Sequence, residues 1–388
     1  MGIKDIVIDQ SYDAIAKVHR QKPIDWIVYS SALTLEQPDA PELKFARENH
    51  IRTSKRDEFI NKIVADKNLS LIAVAGTHGK TTTTAMIVWL CYQFNTPISY
   101  LLPAKTSFGP MGCYLQQADY MVIEADEFDH NFLHFNPFLS VIKGVSWDHH
   151  EIFPTRNGYQ QAFKKFIAQS QQNIIWQDDF QYLKLKSKDN VFVQTPENKL
   201  IKDITLKGYY NRLDAWLALQ TVLRLCDTPI NDLIDQLNLF PGLSRRMEQI
   251  VPNLYSDYAH TPEKISAAMS VAIEMTKESK QNIVVVYEPL TDRRQHYMIN
   301  DYGDCFKGAT QVYWLPSYLA REDPKQRILP PAELISHLSD PTIAVPAVRD
   351  ADLKRTIESH LLKGDMVVCM AGGGGNSLDD WIREQFLV

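Results

Sequence analysis

The residues from Leu71 to Leu90, LIAVAGTHGKTTTTAMIVWL, constrain this chain more than any other stretch. A short apolar run of strand type enters a loop containing Gly76 and Gly79, and a segment rich in Ala, Met, Ile, Val and Leu follows in a pattern that suits a helix. Strand, glycine loop and helix together make a phosphate cradle, because glycines let backbone N–H groups approach an anion and a helix N-terminus adds partial positive charge. Lys80 supplies a mobile cation for the β- and γ-phosphates of a nucleotide, and the Thr81 hydroxyl can ligate Mg²⁺. Val74 stands where the strict phosphate-loop pattern has a glycine, so the loop is a shortened variant. The flanking strand and helix carry the assignment, against a plain Gly-rich turn.

At 388 residues the chain is too long for one ordinary core, and two or three domains are expected. A composition that is 45% hydrophobic and 23% charged is that of a globular protein. The net charge of −6 argues against a general binder of nucleic acid or membrane surfaces and for small-molecule partners. No apolar run is long enough to span a bilayer, and MGIKDIVIDQSYDA lacks a basic flank followed by an apolar signal core, so a cytoplasmic location is expected. The five cysteines form no C-x-x-C pair and are expected to be free thiols.

Three α/β segments are expected, at 1–66, 67–245 and 246–388. In the first, strand-like IDWIVYSSAL precedes two helical stretches, PELKFARENH and RDEFINKIVADKN, the latter with Asp57 and Glu58 in its early turns. In the second, MVIEADEFD reads as a buried strand running into a carboxylate-rich loop, and FLSVIKGVSWDHH repeats the pattern with Asp148, His149 and His150 at its end. Ligands of open parallel sheets sit at the carboxyl ends of strands, so both clusters are expected to converge on the phosphate loop. Taken singly, such residues are more often solvated charges or helix caps. The polar stretch from about 170 to 205 reads as short edge strands and turns. The third segment alternates again, closing with GDMVVCMAGGGGNSLDDWI as strand, glycine turn and helix.

GTHGKTTTT resembles the ATP loop of the Mur ligase family, the ATP-dependent amide-forming enzymes of peptidoglycan precursor synthesis, and further stretches extend the resemblance over nearly the whole chain. It implies ATP contacts from Gly76, Thr77, His78, Gly79, Lys80, Thr81 and Thr82. EADEFD is similar to the family's E-A-D-E-x-D, which implies Glu124 as a Mg²⁺ ligand beside Thr81. WDHHEIF is similar to D-H-x-D, which implies His149 as ligand of a second Mg²⁺, with Glu151 in place of the usual Asp. LKGYYNRLDAWL resembles G-x-H-N-x-x-N-A, implying Asn211 as an adenine contact, with Tyr210 and Asp214 as departures. FPGLSRRMEQI resembles the family hinge, implying that Arg245 or Arg246 reaches the ATP phosphates. LYSDYAHTPEKI resembles D-Y-A-H-x-P, implying Asp257 as a nucleotide contact and His260 as a candidate base. VYSSALTLEQPDAPELKFARENHI is similar to the second half of the family's N-terminal domain, most closely in the alanine-adding branch; the Gly-rich diphosphate loop of the first half has no counterpart here. That branch's H-R-Y-T-R loop is matched only by Arg294, with Leu290 and Thr291 substituted. Lys164 and Lys165 fall near a lysine carbamylated in some members and read as surface lysines.

The resemblance implies an abbreviated N-terminal α/β domain, a central P-loop ATPase-like domain with a mostly parallel sheet, and a C-terminal Rossmann-like domain. The implied chemistry is ATP-dependent ligation through an acyl phosphate, with Lys80, Glu124, His149 and Arg246 catalytic, ATP and Mg²⁺ as cofactors, and a UDP-muramyl sugar and L-alanine or a related amino acid as substrates. A preformed peptide as acceptor, and a nucleotide-binding module that has lost ligation, are the alternatives. A monomer or weak homodimer, without nucleic-acid or membrane partners, is expected.

Overall fold

Short apolar runs separated by helical segments fold into three sheets in this computed structural model, which describes residues 5–30, 33, 39–149, 152–319, 322 and 326–387. The chain divides into two compact units: one of Met1–Thr77, Pro97–Ser99 and Tyr114–Gln194, the other of His78–Thr96, Tyr100–Cys113 and Thr195–Val388.

The first unit opens with α1 (Tyr12–Gln21), unanticipated from sequence, whose N-terminus is closed by the Ser11 side chain accepting the Ala14 N–H. β1 (Trp26–Tyr29), α2 (Pro41–Glu48), β2 (Arg52–Lys55) and α3 (Arg56–Asp66) follow, with β1 and β2 paired in parallel. Pro41 occupies the first turn of α2, where its missing N–H costs nothing. On α3 the Glu58 carboxylate accepts the Lys55 N–H, and Ile60 and Val64 turn inward. Ser31 and Ala32 of the YSSAL motif lie outside the described residues.

Along the chain then come β3 (Ser70–Ala75), α4 (Lys80–Gln93), β4 (Ile98–Leu101), β5 (Gly112–Cys113), β6 (Tyr120–Glu124), β7 (Leu139–Ile142), α5 (Arg156–Gln169), β8 (Gln172–Trp176), α6 (Gln177–Tyr182) and β9 (Val191–Gln194). Their sheet has the order β5-β4-β6-β3-β7-β8-β9; β3 pairs in parallel with both β6 and β7, and only β4–β5 is a short antiparallel hairpin among the pairings described. A central parallel strand is buried on both faces, which is why LIAVA is a continuous apolar run. Leu71, Ala73, Ala75, Met121 and Ile123 pack with Phe132, Phe163 and Phe166 in one core. The reading of 170–205 as edge strands is corrected at β8, an interior strand with Asn173–Trp176 buried; the glutamines on either side of NIIW disguise it.

In the second unit α7 (Tyr209–Val222) and α8 (Ile230–Asn238) precede a six-stranded sheet of β10 (Glu248–Val251), β11 (Leu254–Asp257), β12 (Ile283–Glu288), β13 (Gln311–Trp314), β14 (Ala344–Pro346) and β15 (Met366–Ala371), ordered β10-β11-β15-β12-β13-β14. All pairs except β10–β11 are parallel. Period-two alternation splits β12 between two cores: Ile283, Val285 and Tyr287 join Ile265 and Met269 of α9 (Pro262–Thr276), while Val284 and Val286 join Leu353 and Ile357 of α12 (Ala351–Leu362) and Ile382 of α13 (Leu378–Phe386). The shorter helices α10 (Asp292–Met298) and α11 (Pro331–Ile335) lie between α9 and α12 in the chain. All five cysteines are free, and no helix among the described residues is long and apolar enough to cross a membrane.

β3 delivers its chain to the phosphate loop through Gly76, at φ +143°. A Cβ there would lie 1.7 Å from the Lys143 carbonyl oxygen at the end of β7, so only glycine lets the two segments run together. Gly76→Ala is expected to destabilise the protein by about 2–4 kcal/mol in urea unfolding; an unchanged midpoint contradicts this packing.

Candidate active site

In the first unit the loop is fastened as soon as it leaves β3. The Thr77 N–H donates to the Gly144 carbonyl at 3.0 Å, and the Ser146 N–H donates to Thr77 Oγ1 at 2.9 Å. Thr77 Oγ1 also lies 2.7 Å from the Ser146 carbonyl and 2.6 Å from the Tyr159 hydroxyl. Tyr159, on α5, contacts Glu127 Oε1 at 3.2 Å. The segment after β7 is held in turn by Asp179 of α6, whose carboxylate accepts the Gly144 and Val145 N–H groups at 2.9 and 2.7 Å; burial pushes that carboxyl above the usual range against these two bonds.

Glu124 closes β6 directly opposite Val74, beside the entry to the loop. Two and three residues further on, Asp126 and Glu127 meet His149, the ligand atoms of the three all within 4.8 Å of one another. His149 Nε2 is 3.9 Å from Glu127 Oε1, and the Phe128 ring stands edge-on to the imidazole at 5.1 Å between centroids. Two carboxylates and a neutral imidazole form a donor set that suits a hard divalent cation sharing its remaining positions with water and phosphate. Sequence reasoning selects His149 and Glu124 but misses Asp126 and Glu127, although all four acids of EADEFD are visible. His150 and Glu151 lie outside the described residues. Next to this trio Asp129 and His130 both adopt left-handed backbone, and Lys55 forms an ion pair with Asp129. They line a cleft of about 730 Å³ together with His134, Gln161 and Lys165. Lys165 is exposed and Lys164 half-buried.

In the second unit Gly79, at φ +79°, is the residue from which α4 starts, with Lys80, Thr81 and Thr82 in its first turn; His78, Lys80 and Thr81 are half-buried and Thr82 buried. Asn211 sits in the first turn of α7 and donates its side-chain N–H to the Lys207 carbonyl at 2.7 Å. That helix start is latched to α9, since Glu274 accepts the Gly208 N–H and pairs with Arg212 at 2.8 Å.

The two hinge arginines separate in role. Arg245 donates to the carbonyls of Ala371 and Gly373 at 2.6 and 3.0 Å, binding the hinge to the glycine turn after β15. The Arg246 guanidinium makes one hydrogen bond among the described residues, 3.2 Å to the Arg245 carbonyl, and lies 4.9 Å from the centre of the Tyr258 ring. Asp257 is buried and accepts the Met247 and Ala259 N–H groups, both at 2.8 Å; burial raises its carboxyl, with Arg246 opposing. In this geometry Asp257 braces the turn that presents Arg246.

His260 is buried with Nδ1 2.7 Å from the Tyr258 carbonyl, a hydrogen bond that requires the proton on Nδ1 and leaves Nε2 facing Lys264 at 3.4 Å. Its ring closes against Gly372, where any Cβ would approach to 2.6 Å. A separate cleft of about 520 Å³ opens at the carboxyl ends of this sheet, lined by Glu288, Ser317, Tyr318, Arg349, Gly375 and Asn376. Glu288 accepts the Leu378 N–H at 2.9 Å and lies 3.3 Å from Arg349, and burial raises its carboxyl. Thr291 holds a left-handed φ and Arg294 is half-buried.

Burial, then the charges of Lys264 and Arg294, hold the His260 imidazole well below its ordinary range. Such a group stays neutral in the fold but takes up a proton when unfolded, so stability is lost as pH falls below the unfolded value of about 6.5. Each pH unit below that point is expected to cost about 1.4 kcal/mol from this residue. Denaturant titrations at pH 7 and pH 5 should show a smaller drop for His260→Gln than for wild type; equal drops contradict the assignment.

Two family models match the chain: the Mur ligase middle domain over residues 74–215, and the Mur ligase glutamate ligase domain over residues 245–373. The UDP-N-acetylmuramate–L-alanine ligase of Christiangramia forsetii is 28% identical over 372 residues, covering 89% of this chain and 79% of the relative. The enzyme of the same name from Caldicellulosiruptor bescii is 27% identical, covering 93% and 86%. Among solved structures, UDP-N-acetylmuramate–alanine ligase from Thermotoga maritima superposes with a TM-score of 0.70 at 19% identity, covering 94% of this chain and 84% of that one. A murein peptide ligase from Psychrobacter arcticus gives 0.59 at 18%, covering 95% and 87%. These structures share the fold, and the matched domains take in both the phosphate loop and the arginine hinge: the chain belongs to the Mur ligase family.

Proposed function

We propose that this protein is an ATP-dependent, ADP-forming ligase that joins L-alanine to UDP-N-acetylmuramate in peptidoglycan precursor synthesis. The observation that carries the reading is that the start of the phosphate loop at Gly76 and Thr77 shares one sheet end with the strand-end carboxylate Glu124, opposite Val74, and is linked through Tyr159 to the Asp126–Glu127–His149 trio. The relatives' shared name supplies the substrates. A carboxylate is a poor electrophile, so one of its oxygens first attacks the γ-phosphorus of ATP and ADP leaves. The amine of alanine then attacks the acyl carbon, and phosphate departs with that oxygen.

The chain's part in this is positioning and charge. Backbone N–H groups of residues 76–82 and Lys80 hold the phosphates, and Arg246, braced by Arg245 and Asp257, adds a guanidinium to the transferring group. Glu124, Asp126, Glu127 and His149 would hold Mg²⁺, which when bound spreads the charge of the phosphoryl group; Thr81 remains a candidate ligand from the family resemblance alone. Asn211 remains a candidate contact for adenine. A second acceptor, a preformed peptide, is favoured by the cleft at Glu288 and Ser317, whose volume exceeds the needs of alanine. We place the enzyme in the cytoplasm as a monomer or weak homodimer, with domains at 1–66, 67–245 and 246–388.

Phosphate release on adding UDP-N-acetylmuramate with either L-alanine or a peptide tests the assignment; release with neither sinks it. Lys80→Ala should lower that rate by about a hundredfold or more, and a mutant at the original rate contradicts the phosphate-loop role. Arg246→Ala should lower kcat with an unchanged melting temperature, whereas Arg245→Ala should lower the melting temperature; the reverse pattern would exchange the two roles.

A further inference from the structure

The geometry points to Tyr159 as a positioning residue: its hydroxyl is a two-position hydrogen-bond switch that reports cation occupancy at Glu127 to the phosphate loop through Thr77. This rests on the cation-site reading of Asp126, Glu127 and His149. The ring of Tyr159 is fully buried, packed against Phe153 and Phe163 at 5.0 and 5.1 Å between centroids. Its oxygen lies between Thr77 Oγ1 at 2.6 Å and Glu127 Oε1 at 3.2 Å, and burial, followed by the Glu127 charge, keeps the phenol protonated.

Counting protons defines the switch. Tyr159 and Thr77 each own one hydroxyl proton, yet their two oxygens make three contacts that need one: Tyr159 with Glu127, Tyr159 with Thr77, and Thr77 with the Ser146 carbonyl. Two chained arrangements use both protons without placing bare lone pairs face to face at 2.6 Å. In one, Thr77 donates to Tyr159 and Tyr159 to the Glu127 carboxylate. In the other, Tyr159 donates to Thr77 and Thr77 to the Ser146 carbonyl. A cation on Glu127 draws charge from its oxygens and weakens them as acceptors, so occupancy favours the second arrangement.

The consequence falls on the loop. In the second arrangement Thr77 is joined to residues 144–146 by three bonds: its N–H to Gly144, its hydroxyl to the Ser146 carbonyl, and the Ser146 N–H to its oxygen. The first arrangement keeps two of them. A cation therefore tightens the start of the phosphate cradle before any nucleotide arrives.

The test is hydrogen exchange by mass spectrometry on the full chain without nucleotide, with and without saturating Mn²⁺, following peptides that contain Thr77 and Ser146. One added hydrogen bond should slow exchange there by about threefold to tenfold in wild type. Tyr159→Phe keeps the ring and should abolish the Mn²⁺ response while still binding Mn²⁺ by electron paramagnetic resonance. Thr77→Val should abolish it as well, and Thr77→Ser should retain it; these two carry the test if Tyr159→Phe fails to fold. A Tyr159→Phe or Thr77→Val protein that responds to Mn²⁺ as wild type does overturns the switch. A wild type that binds no Mn²⁺ overturns the cation-site reading itself and the switch with it.

Discussion

The close approach of Gly76 to the Lys143 carbonyl is the contact on which the first half of the site depends. Because residue 76 has no side chain, the exit of β3 lies against the exit of β7, and Thr77 reaches Gly144 and Ser146. Since β3 stands between β6 and β7, the same placement brings the acids after β6 and the histidine after β7 to a common point. A larger residue at 76 would displace the loop and loosen the geometry that links it to Glu127 through Tyr159. Sheet order thus does what local sequence cannot: it makes neighbours of residues that lie far apart along the chain.

The second unit solves a different problem, that of holding a basic hinge in a definite shape. Arg245 and Met247 both take left-handed backbone, a conformation that costs a non-glycine residue of order 1–3 kcal/mol. Carbonyls of Ala371 and Gly373 accept from Arg245, and Asp257 accepts from Met247, so the strain is offset by bonds to the ends of β15 and β11. Arg246, placed between these anchors, is the member of the pair with least invested in the fold. Two adjacent arginines of the same type are thereby divided into a brace and a guanidinium held by one backbone carbonyl and the Tyr258 ring.

How much of this is legible in sequence follows from how local each feature is. The strand–loop–helix around Gly76 and Gly79 can be read directly, because one continuous stretch contains its apolar run, glycines and helix. Glu124 is legible as the end of an apolar strand. Asp126 and Glu127 do not stand out from their neighbours, because their role depends on a turn that folds back toward His149. Tyr159 looks like one more aromatic on a helix, and its hydroxyl matters only where Thr77 and Glu127 meet it. Nor can RR in FPGLSRRMEQI be resolved, since nothing in the sequence says which guanidinium meets Ala371. β8 misleads because polar flanks hide four buried residues, and α1 escapes notice because it is polar on average and none of its residues is buried.

The ligase reading makes one central claim, that a substrate carboxylate is activated by phosphorylation before the amine attacks. Isotope tracing tests it most directly: UDP-N-acetylmuramate carrying ¹⁸O in its carboxylate is turned over with ATP and L-alanine, and the released phosphate is weighed by mass spectrometry. The acyl-phosphate route moves one carboxylate oxygen into phosphate, so the account predicts product phosphate bearing a single ¹⁸O together with ADP. Unlabelled phosphate, or label found in AMP, would contradict it.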